Sequence, residues 1–305
     1  MFGGLITFVQ LHWGKRKEGK GKKEKRESKE NKETSEMIVF PNAKINLGLN
    51  ITEKRGDGFH TIQSCFLPVQ WQDILEIIPA KKTTFKSSGI DIPGKPENNL
   101  CLKAYQLLKK DFQLPNVEIY LHKIIPIGAG LGGGSADAAF TLKVLNQLFE
   151  LYLDDFILEE YAEKIGSDCP FFIKNKPTLA LEKGTVFEAI NTNLSGKHIV
   201  LVYPNIHIST AEAYAGIKPQ KPTFSIKDII ENHPITEWEN LLKNDFEASI
   251  FPNHPQLSKI KNQLYALGAS YASMSGSGST IYGIFGQKPE LGSIFPNFMI
   301  LEGTL

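Results

Sequence analysis

Between Pro126 and Ala139 the chain reads PIGAGLGGGSADAA, and five of the seven residues from 128 to 134 are glycine. The stretch follows a run in which Val117, Ile119 and Leu121 alternate with Glu118, Tyr120 and His122, the period of a strand. It leads into a helical pattern around Ala138–Leu145. A strand, a glycine loop and a helix start together make an anion cradle. Glycine has no Cβ, so the backbone curls round a phosphate and turns its N–H groups inward. The helix start adds unpaired donors and the positive end of its dipole. Ser135, at the junction, is expected to cap the helix and touch a phosphate oxygen.

Two familiar phosphate-binding schemes do not fit. Gly128, Gly130 and Gly133 match G-x-G-x-x-G, but a dinucleotide fold needs a second strand after the helix, with an acid at its end. Here the next segment, Leu153–Ile165, is again helical. No G-x-x-x-x-G-K-S/T occurs, and V-A-I-K, H-R-D and D-F-G are also missing. The loop holds phosphate by some other scheme.

A chain of 305 residues, 41% hydrophobic and 22% charged, predicts a soluble globular protein of two domains. Residues 14–36 carry ten Lys/Arg and six Asp/Glu with nothing apolar to bury, the composition of disorder. Without them the rest is mildly acidic and offers no basic stripe to nucleic acid. Met1–Trp13 is apolar but too short to span a bilayer, and it lacks the flanks of a signal peptide. Residues 1–36 are therefore expected to be a disordered or non-native extension, with the folded protein starting at Met37. Cys65, Cys101 and Cys169 stand too far apart for a metal site or disulfide framework. A reduced cytoplasm is the expected location, with no membrane partner.

From Ile38 to Ile51 the residues alternate, which predicts one strand with Lys44 and Asn46 side by side on its exposed face. Arg55–Thr61 is a turn that delivers Phe59 and His60 together. A helix is predicted over Leu100–Lys110, capped by Asn98 or Asn99. Ser167-Asp168-Cys169-Pro170 reads as a helix start capped by Asp168. Asn191–Lys197 is the predicted linker, dividing residues 37–190 from 191–305. Beyond it, His198–Tyr203 reads as a strand, Ser209–Ile217 as a short helix holding Tyr214, and Trp238–Phe246 and Leu257–Leu267 as helices. A serine–glycine loop, Ser275–Ser279, leads into a strand over Thr280–Phe285. The fold class is α+β.

Three segments carry a resemblance: Pro41–Leu47 (PNAKINL), Pro126–Ala139, and Met274–Thr280 (MSGSGST). In this order and spacing they resemble the three motifs of the GHMP superfamily of galactokinase, homoserine kinase, mevalonate kinase and phosphomevalonate kinase. Gly58–Thr61, Gly166–Phe172 and Asn244–Glu247 are similar to the branch whose acceptor is a cytidyl diphosphate alcohol of isoprenoid precursor synthesis. Phe59 stands where that branch usually has Tyr, and Ser279 where the superfamily often has Pro. The resemblance implies a two-domain kinase: an N-terminal domain like domain 2 of ribosomal protein S5, and a ferredoxin-like C-terminal domain, with the site between them. It implies transfer from ATP, with Mg²⁺, to a hydroxyl group of that small molecule by a monomer or homodimer. Asp168 becomes the catalytic acid/base and Lys44 its partner. Pro126, Gly128, Gly130, Leu131, Gly132, Gly133, Gly134 and Ser135 become the phosphate loop. Asn99 falls on the adenine side and Lys123 near the phosphates, while Asn46, Phe59, His60 and Tyr214 match the substrate site.

Elementary chemistry agrees. An alcohol is a weak nucleophile, so a carboxylate must accept its proton as the P–O bond forms, a contribution of about 10²–10⁴ in rate. The lysine offsets charge on the transferring phosphoryl group. Two alternatives remain. Another kinase of the superfamily, of homoserine or mevalonate type, would have no use for an aromatic–His turn. A non-catalytic nucleotide- or RNA-binding protein would have no use for a Lys44–Asp168 pair.

Overall fold

A computed structural model describes residues 37–305; the expectation for residues 1–36 lies outside them. The strand predicted over Ile38–Ile51 divides at Phe40–Pro41 into β1 (Met37–Val39) and β2 (Asn42–Lys54). Proline has no N–H for a sheet ladder, and the chain changes sheets there. β1 joins β4 (Ile74–Pro79), while β2 joins β3 (His60–Gln72).

The first sheet has the order β1-β4-β6-β5, where β5 is Thr84–Gly89 and β6 is Val117–Lys123. Its pairings are antiparallel except β5 with β6. Against it lie α1 (Leu100–Phe112) and α2 (Gly133–Leu148), followed by α3 (Asp155–Glu163) and α4 (Phe171–Lys174). Leu75, Ile77, Ile119 and Leu121 meet Leu108, Leu142 and Leu145 in this core. Such side chains each contribute about 1.5–3 kcal/mol when fully buried. Asn99 caps α1, its Oδ1 accepting from the Cys101 amide at 2.9 Å.

The second sheet runs β2-β3-β7-β8, with β7 at Thr178–Glu182 and β8 at Val186–Ala189. The third comprises β9 (His198–Tyr203), β10 (Tyr271–Met274), β11 (Ile281–Phe285) and β12 (Met299–Thr304), in the antiparallel order β10-β11-β9-β12. Among its helices are α5 (Thr210–Ala215), α6 (Ile226–Asn232), α7 (Trp238–Leu241), α8 (Asp245–Ile250) and α9 (Pro255–Ala266). The alternation of side chains along a strand gives this sheet two jobs. Val200, Val202, Ala272 and Ile281 face Leu257, Ile260 and Leu264 of α9. Ile199, Leu201, Tyr282 and Ile284 pack with Ile45, Leu47 and Leu67 from the second sheet.

Residues 191–197 connect β8 to β9, where we propose the division between domains 37–190 and 191–305. One core crosses that division, so the halves are fastened together. The helix expected over Trp238–Phe246 is two helices. Asn244 takes the Phe246 amide at 3.0 Å with its side chain and so starts α8 afresh.

Candidate active site

The glycine loop joins β6 to α2 and passes through left-handed backbone at Gly128, Gly130 and Gly132, with φ of 67°, 78° and 69°. That region costs an L-residue with a Cβ energy, and glycine nothing. The packing demands glycine too. A Cβ on Gly130 would stand 2.0 Å from the Ser275 carbonyl oxygen. Three successive loop carbonyls are committed to the protein: Ala129 O accepts from the Thr280 amide at 3.2 Å, Gly130 O from Ser275 Oγ at 2.7 Å, and Leu131 O from the Lys44 amide at 2.9 Å. This leaves the amide side of the loop for an anion. Asn244 Nδ2 in turn donates to Met274 O at 2.7 Å and Gly276 O at 2.9 Å, pinning the serine–glycine loop.

In front of the loop is a cleft of about 600 Å³, walled by apolar Phe85, Ile92, Pro96 and Leu100, with Asn99 and Asp168. Such a volume suits a cofactor-sized ligand, and the apolar wall with a glycine cradle suits a nucleotide. Pro126, Gly128, Gly130, Leu131, Gly132, Gly133, Gly134 and Ser135 all line it, as does Lys123.

Three local expectations change. Helix α2 begins at Gly133, two residues earlier than Ser135, with Gly132 at the cap position and no side-chain cap; Ser135 sits inside the first turn. Asp168 does not cap a helix, because α4 starts only at Phe171, after Pro170. Its carboxylate is therefore available. Lys44 and Asn46 are not exposed but buried, at 4% and 1%, because the glycine loop crosses that face of β2.

Lys44 Nζ lies 3.4 Å from Asp168 Oδ2 and donates to Asn46 Oδ1 at 2.7 Å. It also stands 4.5 Å from the centre of the Phe66 ring. Asn46 Nδ2 donates to Ser64 Oγ at 2.8 Å, which donates to Gly48 O at 2.6 Å. Tyr282 OH donates to Asn46 O at 2.7 Å. The ammonium is thus fixed from below, while the Asp168 side chain is 35% exposed.

Lys123 is buried and its ammonium is held by two carboxylates, Asp73 and Asp137, the latter at 2.8 Å. Burial pushes the Asp137 carboxyl above the usual carboxylate range, partly offset by Lys123 and reinforced by Asp73. Burial opposes the charge of Lys123, and Asp137 and Asp73 more than compensate, leaving it raised.

A second cavity, of about 650 Å³, is lined by Phe59, His60, Glu163, Lys183, Thr210 and Tyr214. The ring that Tyr214 faces is His60, stacked at 4.6 Å and 23°. Phe59 is 59% exposed, with Lys183 Nζ 4.6 Å from its ring centre. Burial, then Lys54, holds His60 below its ordinary value, so its imidazole is neutral near pH 7. Burial, then Asp168, raises the Tyr214 phenol. Thr210 lines both cavities, and Ser167 of the second adjoins Asp168 of the first.

Lys183, Glu163 and Asp73 carried no signal in the sequence, being charged residues in a chain full of them, and Asp137 was visible only inside the glycine motif. Asn244 was visible only as part of a motif.

The fold and site define a small-molecule kinase. The GHMP kinases N terminal domain matches residues 99–176, and GHMP kinases C terminal matches residues 226–296. A Bacteroides fragilis protein named 4-diphosphocytidyl-2-C-methyl-D-erythritol kinase is 53% identical over 259 residues, 84% of this chain and 94% of that protein. One of the same name from Cytophaga hutchinsonii is 54% identical over 255 residues, 83% and 94%. A crystal structure of 4-(cytidine 5'-diphospho)-2C-methyl-D-erythritol kinase aligns with a TM-score of 0.68 at 29% identity, over 81% of this chain and 90% of that one. Methanococcus jannaschii mevalonate kinase, at 14% identity, covering 88% of this chain and 98% of its own with a TM-score of 0.67, shares the fold. The chain belongs to the 4-diphosphocytidyl-2-C-methyl-D-erythritol kinase family of the GHMP kinases.

Proposed function

We propose that this protein transfers the γ-phosphoryl group of ATP to the 2-hydroxyl of 4-diphosphocytidyl-2-C-methyl-D-erythritol, a step of isoprenoid precursor synthesis in the cytoplasm. One observation carries the reading: Asp168, paired with Lys44, stands where the two cavities adjoin. A nucleotide in the first and a cytidyl group in the second would bring γ-phosphate and hydroxyl together at that carboxylate.

Asp168 accepts the hydroxyl proton as the oxygen attacks phosphorus, and Lys44 offsets charge on the phosphoryl oxygens. The glycine loop from Gly128 to Ser135 holds the phosphates and Asn99 borders the adenine, while the buried Lys123 shapes the wall. Phe59, His60 and Tyr214 receive the cytosine, with Asn46 holding Lys44 in place. Among the described residues no group of three His, Cys, Asp or Glu could hold a metal ion. Mg²⁺ would be carried in on ATP phosphates, since this ion keeps several waters and needs few protein ligands. When bound, it neutralises phosphate charge. No helix of the described residues is long and apolar enough to cross a membrane.

The test is ADP release coupled to NADH oxidation, with each acceptor alone. Turnover with the cytidyl alcohol and none with homoserine or mevalonate is expected. Equal turnover with either of the latter overturns the substrate assignment.

A further inference from the structure

Beneath the glycine loop lies a charged cluster with no part in the proton transfer. Asp73 sits between β3 and β4, Lys123 ends β6, and Asp137 is the fifth residue of α2. Their exposures are 0%, 3% and 3%. Asp73 Oδ1 accepts the amides of Ile124 and Ile125 at 2.6 and 2.8 Å, the residues that open the loop. Its Oδ2 accepts from Lys123 Nζ, which donates also to Asp137 Oδ2 at 2.8 Å. Asp137 Oδ1 is buried and has no hydrogen-bond partner.

A buried ion cluster is a poor source of stability, because desolvation offsets much of the attraction. Fixing geometry is what it does well. Both ends of the glycine loop are tied to one ammonium, the leading end through Asp73 and the trailing end through Asp137. The loop also rests on it. A Cβ on Gly133 would lie 3.0 Å from Lys123 Nζ and 2.8 Å from Ile125 Cγ2.

We propose that Asp73, Lys123 and Asp137 form a clamp that sets the spacing of the two ends of the glycine loop, making Asp73 and Asp137 positioning residues for ATP. The proposal rests on the reading of the loop as the ATP site. Lys123, its ammonium held by two carboxylates, acts on the nucleotide by shaping the loop.

The experiment compares wild type, Asp137→Ala, Asp137→Asn and Asp73→Asn by calorimetric binding of adenylyl imidodiphosphate, KM for both substrates, and Tm. Asp137→Ala should weaken nucleotide binding about tenfold, the loss of one hydrogen bond to a charged group. KM for the cytidyl alcohol should stay within about twofold, and Asp137→Asn, which keeps an oxygen for Lys123, should recover binding to within about threefold of wild type. Asp73→Asn keeps the oxygen for the two amides and turns an amide toward Lys123, so it should weaken binding at least about threefold even if Asp137→Ala fails to fold. Unchanged nucleotide affinity in both Asp137→Ala and Asp73→Asn overturns the clamp. So does equal weakening of both substrates as Tm falls, with no recovery in Asp137→Asn. Calorimetry needs no acceptor, so the clamp can fail while the proposed reaction stands. A wild-type protein that binds no adenine nucleotide overturns both.

Discussion

The glycine loop is gripped by three backbone-directed hydrogen bonds and by buried charge below, whereas the turn that carries Phe59 stands in solvent among surface ion pairs. On that turn Asp57 Oδ1 accepts the Phe59 amide at 3.1 Å, and Lys183 and Arg55 surround the same carboxylate. Lys183, then the Phe59 amide, holds the Asp57 carboxyl down to about 2. Exposed pairs of this kind contribute little to stability. The contrast fits the ligands proposed for the two regions. Phosphate is recognised by backbone amides, which work only if the backbone cannot move. A nucleobase is recognised by ring faces and edges, which side chains supply from an exposed turn.

The largest expected effect falls between the two regions. Asp168→Asn should lower kcat about 10²–10⁴-fold while nucleotide binding stays near wild type, because the amide cannot take a proton. Steady-state turnover beside calorimetry decides it, and a kcat within about threefold of wild type would remove Asp168 from the chemistry.

Next in size is a matched pair of glycine substitutions. Gly130→Ala places its Cβ against the Ser275 carbonyl and should cost about 1–3 kcal/mol of strain, seen as a lower Tm and weaker ATP binding together. Gly58, on the substrate turn, also has a positive φ, of 86°, but a Cβ there meets nothing within 4 Å. Gly58→Ala should leave ATP binding alone and cost about 1–2 kcal/mol at most, the strain of the backbone only. Similar losses of ATP affinity in both would erase the distinction between a rigid end and a tolerant one.

Smaller still are the aromatic changes. Phe59→Ala and Tyr214→Ala should each raise KM for the cytidyl substrate, by roughly 5- to 150-fold for a stacking contact of about 1–3 kcal/mol. Their stability should differ. Tyr214 packs edge-on against Phe246 at 4.9 Å, so its loss lowers Tm as well, while the exposed Phe59 should not. Phe59→Tyr keeps the ring face and should be close to neutral in both measurements.

The least effect is one of pH. Burial, then Lys54, holds His60 below its ordinary value of 6.5, so the neutral imidazole proposed to meet the cytosine persists down to the shifted pKa. KM for the cytidyl substrate should be flat from neutral pH to about 6.5 and rise only below that, as the ring gains a proton. A rise that begins above pH 7 would mean that His60 is not so buried, or that another group controls the site.

Much of this was legible in the chain. The glycine cluster fixed a strand–loop–helix turn because glycine is the residue that such backbone requires. The alternation along β2 and the cap at Asn99 were equally local and were read correctly to within a few residues. Buried polar residues defeated the same reasoning. Lys44 and Asn46 lie on the polar face of an alternating strand, and period two says only that two faces differ, not which one water reaches. The loop that covers them comes from residues more than eighty positions away. Asp168 sits where a cap is expected, and its release to pair with Lys44 depends on where Pro170 lets the next helix start. The sequence marked Lys123 and carried Asp137 inside the glycine motif, but nothing in it joined either to Asp73. The cluster's members are spread over three elements, and a charge becomes unusual only once the surrounding chain has removed its water. Composition and periodicity thus settled what the backbone does locally, through sterics and the spacing of apolar residues. Packing between distant segments decided which polar groups lost solvent, and with that which of them could bind, position or react.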